Sequence, residues 1–176
     1  KDRTDWLQQV SRPNPVVHLQ DSYFPERSQT VRQLSEVAED NAIFVADASD
    51  ITTVAAHCID LKRSRRLITL RETGAMGYAL PLAIGIKLAA PEIPLYLLTG
   101  DRSPLMTIAE LATLKELTIK GLIKNKFGIM FFDDAGFGKV RHSPHNGKPS
   151  CTDFAFSPDF SLLLSGFGIK NERIES

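Results

Sequence analysis

The chain has 176 residues, 43% hydrophobic and 24% charged, which fits one ordinary domain with enough apolar mass for a core. Lys plus Arg equals Asp plus Glu at 21 each, so bulk charge gives no reason to expect nucleic acid or a membrane surface as a partner. Cys58 and Cys151 lack C-x-x-C spacing and suit buried positions in a reducing, cytoplasmic compartment better than a disulfide scaffold. No apolar run reaches membrane-spanning length, and no signal-peptide pattern opens the chain. With Lys instead of Met as first residue, a trimmed chain or one piece of a longer protein is expected.

Residues 1–27 hold Trp6, Pro13, Pro15 and Pro25 among polar residues, the pattern of a linker or extended arm. A first helix is expected over 28–40, where Val31, Leu34, Val37 and Ala38 recur at helical spacing behind Ser28. Residues 42–46 read as a strand ending at Asp47, 51–61 as a helix and 67–70 as a short strand. The basic run Lys62-Arg63-Ser64-Arg65-Arg66 reads as a solvated face, as does the stretch from Lys120 to Lys126. Gly74-Ala75-Met76-Gly77 opens a third helix that stops at Pro91. Residues 95–98 form a strand leading into Gly100-Asp101, and Ser103-Pro104 offers a cap and first-turn proline for the next helix. Residues 129–132 are the next strand and 158–165 a last short helix. Strands alternating with helices predict an α/β domain, a parallel sheet with helices on both faces. Ligands then belong at the strand carboxyl ends.

Three loops fall on that edge. Thr99-Gly100-Asp101-Arg102-Ser103 and Asp133-Asp134-Ala135-Gly136-Phe137-Gly138 each follow an apolar run. Two such turns suit Mg²⁺, which takes hard oxygen ligands and shares them with a phosphate. Asp101 also precedes a helix amino terminus, which favours a diphosphate. In the second turn Asp134 offers a carboxylate and Gly136 a carbonyl unhindered by a side chain. The Gly74 turn admits a dinucleotide reading, but only Gly74 and Gly77 are present, so G-x-G-x-x-G is not met. On spacing alone Met76 is core filler. His142 and His145 lie beyond the second acidic turn and, as loop histidines, are solvated by default; His18 and His57 have no supporting context.

The ordered set Gly74-Ala75-Met76-Gly77-Tyr78-Ala79-Leu80-Pro81-Leu82-Ala83-Ile84-Gly85, Gly100-Asp101-Arg102-Ser103 and Asp133-Asp134-Ala135-Gly136-Phe137-Gly138 resembles the diphosphate-binding domain of thiamine diphosphate enzymes of the acetolactate synthase, pyruvate decarboxylase and benzoylformate decarboxylase group. The likeness runs from about Arg27 to the end, including Pro158-Asp159-Phe160 and Gly166-Phe167-Gly168. It implies residues 28–176 as a domain binding thiamine diphosphate and Mg²⁺, with Asp101, Asp134 and the Gly136 carbonyl as metal ligands. By the same resemblance Ser103 and Ser49 contact the diphosphate, Gly74 accepts from the cofactor's amino group, and Met76 props the cofactor in its bent form. Arg102 departs from the small residue usual at its position and would either pair with the diphosphate or obstruct it. Asp133-Asp134 stand for the family's Asn-Asn, and the separation of Asp101 from Asp134 is longer than usual, with the surplus assigned to 120–127.

The resemblance also implies what the chain lacks. The family's activating glutamate comes from a pyrimidine-binding domain, usually of another subunit, so no catalytic residue is expected in this chain. It would supply half the active site of a decarboxylase or carboligase acting on a small 2-oxo acid, in a homo- or hetero-oligomer, and be silent alone. The rival from another class is a non-catalytic relative that keeps the fold as a scaffold or regulatory domain.

Overall fold

In a computed structural model, residues 25–61, 64–70, 73–141 and 155–173 are described. Four strands, β1 (Ile43–Ala46), β2 (Arg66–Thr69), β3 (Leu95–Gly100) and β4 (Phe127–Phe132), form one sheet in the order β2-β1-β3-β4. All three pairings are parallel. Helices α1 (Pro25–Val37), α2 (Asp50–Cys58), α3 (Ala79–Ala89), α4 (Glu110–Ile119), α5 (Gly138–Arg141) and α6 (Phe160–Gly166) surround it, with a 3₁₀ turn at Pro104–Thr107. The predicted α/β class is the observed one.

The strands alternate their burial between two faces, as a period of two requires. Phe44 and Ala46 of β1 and Leu98 of β3 join Val31 and Leu34 of α1 and Ile51 and Val54 of α2 in one core cluster. Val45, Leu95 and Leu97 point the other way, into a second cluster with Leu80 and Ile84 of α3, Leu111 and Leu114 of α4, and Leu164 of α6. The sheet is thus covered on both sides, the arrangement that parallel strands need.

Several boundaries moved, for local reasons. Helix α1 begins at Pro25, not Ser28, because proline at a first helical position loses no hydrogen bond. Of the expected arm over 1–27, Pro25, Glu26 and Arg27 are therefore helical, and residues 1–24 lie outside the described part. The helix ends at Val37, and the carbonyls of Ala38 and Glu39 accept hydrogen bonds from Arg65. Arg65 is 3% exposed, so this part of the basic run is structural and not a solvated face; Lys62 and Arg63 lie outside the described residues. At 120–126 the solvated reading holds, with exposed pairs Lys120–Glu116 and Lys124–Glu92 and with Lys126 on Glu39.

The 120–126 connector is tightly built. Gly121, at φ 68°, ends α4 with Gly121 N donating to Thr118 O and Leu122 N to Leu117 O, the backbone pattern of a glycine helix stop. Asn125 Nδ2 then donates to Glu92 O at 2.7 Å. This connector sits at the amino ends of the strands, opposite the edge that the three loops share.

Candidate functional site

Strand order decides which loops meet. Sequence growth runs from β1 to β2 on one side and returns to β3 on the other, so a crevice opens between the carboxyl ends of β1 and β3. Asp47 and Ser49 follow β1; Gly100, Asp101 and Ser103 close and follow β3. A side chain added at Gly100 would touch Ser49 Oγ at 3.8 Å, which puts the two loops in direct apposition. The turn after β4 is the next neighbour.

The two acidic turns come together. Asp101 is 2% exposed, and its Oδ2 accepts from Gly136 N at 3.2 Å. Burial, followed by the charge of Asp134, pushes its carboxyl up to about 6; Arg102 opposes this and Asp133 adds to it. Asp133 points elsewhere, accepting from Ala135 N at 3.0 Å and from the Ser157 hydroxyl at 2.8 and 2.9 Å. Asp134 is half-buried and pairs with Arg27 Nη2 at 2.9 Å. The left-handed residue of this turn is Ala135, at φ 50°, whereas Gly136 is not at positive φ.

Gly77 is the constrained glycine of the third loop. It sits at φ 82°, and a Cβ there would fall 2.8 Å from both Met106 Cβ and Ser103 O. Gly74, at φ 60°, is exposed with open space around it. Met76 is half-buried and belongs to neither core cluster, so it is not core filler. Thr107 Oγ1 donates to Gly77 O at 2.7 Å, locking this loop to the turn after β3.

Ser103 does not cap a helix. It has helical φ and ψ, makes no side-chain cap bond, and leads into the 3₁₀ turn. Its hydroxyl is buried beside Asp47, where it eases that carboxylate's ionisation, yet makes no well-formed hydrogen bond. Ser49 does cap: its Oγ accepts from Ile51 N at 3.2 Å at the start of α2. Arg102 folds back on its own turn, with Nε 3.6 Å from Asp101 Oδ2 and Nη2 donating to Phe156 O at 2.6 Å.

Asp47 is the residue that sequence reasoning passed over. It is buried, and its carboxylate accepts from Ala48 N, Gly77 N and Thr99 Oγ1 at 2.8, 3.2 and 3.2 Å. Those bonds tie the ends of β1 and β3 to the Gly74–Gly77 loop. A signal existed, since Asp47 follows its strand as directly as Asp133 follows β4. Gly138 was also passed over: a Cβ there would fall on carboxylate oxygens of both Asp134 and Asp50. His57 takes its bland reading, with Nδ1 2.7 Å from Thr53 O, while His18, His142, His145 and Cys151 lie outside the described residues.

A profile for the thiamine pyrophosphate enzymes, C-terminal TPP binding domain, matches residues 47–176. The chain belongs to this family. The acetolactate synthase large subunit of Lactococcus lactis subsp. lactis is 29% identical over 181 residues, covering 99% of this chain and 30% of that protein. A probable acetolactate synthase large subunit of Methanococcus aeolicus is 30% identical over 98% of this chain and 30% of its own length. Acetolactate synthase isozyme 2 large subunit of Escherichia coli is 30% identical over 82% of this chain and 26% of its own length. The chain thus spans under a third of these relatives, consistent with further domains elsewhere in proteins of this kind.

Thiamine diphosphate is the cofactor of this family, and the crevice fits a cation bridged to a diphosphate. Asp101 is a buried carboxylate whose Oδ2 lies 3.6 Å from Arg102 Nε, and Ser103 offers a buried hydroxyl without a well-formed hydrogen bond. Among the described residues no cluster of three His, Cys, Asp or Glu side chains could hold a metal. Two carboxylates and a carbonyl suffice for Mg²⁺ when phosphate and water complete its shell. No described helix is long and apolar enough to cross a membrane.

The raised Asp101 value predicts a pH effect without metal. A carboxyl whose folded pKa lies above its unfolded one binds its proton more tightly in the fold. Stability should therefore rise as pH falls through about 6 and level off below the unfolded value, by on the order of 1–3 kcal/mol. Urea unfolding in a chelator at pH 7.5 and 5 should show that gain in the wild type and lose most of it in Asp101→Asn. An equal gain in both would assign it to another group.

Proposed function

We propose that this chain binds Mg²⁺ and the diphosphate of thiamine diphosphate, as half of the active site of a 2-oxo acid decarboxylase or carboligase of the acetolactate synthase kind. The observation that carries this reading is the meeting of the two acidic turns, where Gly136 N reaches a buried Asp101 carboxylate beside Asp134. When bound, the cofactor supplies a thiazolium carbon that attacks the 2-oxo carbonyl and holds the resulting negative charge. The chain's part is to grip and place. Asp101, Asp134 and the Gly136 carbonyl take the cation, Ser103 and Ser49 hold diphosphate oxygens, and Gly74 and Met76 face the cofactor's other end. Asp47 fixes the loops that carry them.

Assembly follows from the same division of labour. The acid that activates the aminopyrimidine comes from a pyrimidine-binding domain on another chain or another segment, so the working protein is an oligomer with a composite site. Cys58 is buried in the core, which suits a cytoplasmic setting. The test is a calorimetric titration of thiamine diphosphate with and without Mg²⁺. Binding should need the metal; equal binding in a chelator would overturn the reading.

A further inference from the structure

Arg27 has no part in the reading above, yet it sits on one of the proposed ligands. It lies in the first turn of α1, and its Nη2 is 2.9 Å from Asp134 Oδ2 while Nη1 is 3.9 Å from Asp50 Oδ2. The two acids come from different elements, the turn after β4 and the first turn of α2. Gly138 lets them converge, since any side chain there would collide with both carboxylates. One guanidinium therefore covers a buried acid, Asp50, and a half-buried one, Asp134, at a point that three elements build together.

Resting on the reading of Asp134 as a cation ligand, we propose that Arg27 is the resident counter-ion of this site, and that a divalent cation must displace its guanidinium from Asp134 in order to bind. Asp50 and Asp134 beside the buried Asp101 would repel one another if left bare, so the metal-free fold needs a positive charge here. A guanidinium supplies it through charge-assisted hydrogen bonds. A divalent ion on the same carboxylate repels that guanidinium over a few ångströms, and the two compete. The Arg27 side chain remains 18% exposed at the start of its helix, so water can take over the solvation of a guanidinium that leaves Asp134. Arg102 cannot stand in for it, because its Nη2 is held on Phe156 O. The consequence is that Arg27 sets the affinity for the metal, and through it for the diphosphate.

Binding of Mn²⁺, read by its electron paramagnetic resonance signal on the full chain, tests this without any turnover. Arg27→Gln should bind Mn²⁺ about fivefold to tenfold more tightly than wild type. Arg27→Lys should fall between them, since a single ammonium cannot span both Asp134 and Asp50. Thermal unfolding in a chelator should show Arg27→Gln destabilised, with Mn²⁺ restoring it further than it raises the wild type. Should Arg27→Gln fail to fold, the lysine variant decides: tighter Mn²⁺ binding supports displacement, and wild-type affinity overturns it. Unchanged or weaker binding in Arg27→Gln, with binding lost in Asp134→Ala, would overturn the role of Arg27 alone. Wild-type binding in Asp134→Ala would instead remove the metal site itself and this inference with it.

Discussion

Arg65→Ala is expected to lower folding stability by about 3 kcal/mol or more, although the residue lies at the strand amino ends, far from the crevice. Its guanidinium donates from Nε to Glu39 O at 3.1 Å, from Nη1 to Asp60 O at 3.1 Å and Ser35 Oγ at 3.3 Å, and from Nη2 to Ala38 O. The Ala38 and Glu39 carbonyls lie at the end of α1, where a helix leaves oxygens without internal partners. Truncation strands the Ala38 carbonyl in a buried setting and leaves Glu39 O with its bond from Ala42 N at 3.1 Å; an orphaned buried acceptor costs about 1–3 kcal/mol, and the bonds to Asp60 O and Ser35 Oγ are lost with it. It also removes the guanidinium above the Phe44 ring, 5.9 Å from its centroid. Arg65→Lys should recover little, because one ammonium cannot serve acceptors spread around a plane. The measurement is the urea midpoint at constant slope, and a loss below about 1 kcal/mol would mean that water replaces the guanidinium.

Arg65 also shows where the sequence stops being legible. Three of the four strands, β1, β3 and β4, lie where short apolar runs are closed by Asp or Gly, because a buried parallel strand needs apolar residues on both faces and a polar turn at its end. Ile43–Ala46 differs from expectation by one residue at its start, and Arg66–Thr69 is shifted by one residue at each end. Helix ends fared worse. The pattern through Val37 and Ala38 extended α1 to Asp40, but the chain leaves the helix where Arg65 takes its carbonyls. A cap supplied 26 residues later leaves no local trace. The turn at Pro104–Thr107 failed similarly: Ser103-Pro104 reads as a helix start, yet Thr107 bonds Gly77 O and the 3₁₀ turn packs on a glycine from another loop.

In the crevice, the positions of Asp101 and Asp134 were legible because each follows a strand. Their convergence on one sheet edge was legible too, from the parallel strands, and the pairing of β3 with β4 brings it about. Asp47, Arg27, Asp50 and Gly138 required the whole strand order, because each acts on a residue from a different element. Arg27 is the clearest case: in the sequence it is one basic residue after a proline, and only the fold of α1 over the turn after β4 gives it Asp134.

Asp101→Ala should reduce thiamine diphosphate affinity in saturating Mg²⁺ by at least about 100-fold, beyond the 10- to 100-fold typical of losing a residue behind a metal ligand. On the proposed reading Asp101 would hold the cation that the diphosphate also takes, so removing this charged ligand would weaken both metal and cofactor binding at once. Collapse of the fold is not the cause expected. Burial and the charge of Asp134 hold the Asp101 carboxyl up at about 6, so near neutral pH its charge burdens the metal-free domain, and alanine lifts that burden while losing one bond from Gly136 N. Asp134→Ala should also lose binding, because no oxygen remains at that position. Asp134→Asn should bind within about tenfold of wild type, since an amide oxygen still ligates and the change weakens the grip of Arg27 on the same atom. Calorimetry with all three variants, after chelator unfolding curves have shown them folded, separates the two ligands. Wild-type affinity in Asp101→Ala would remove the buried carboxylate from the site, whatever the other two variants do.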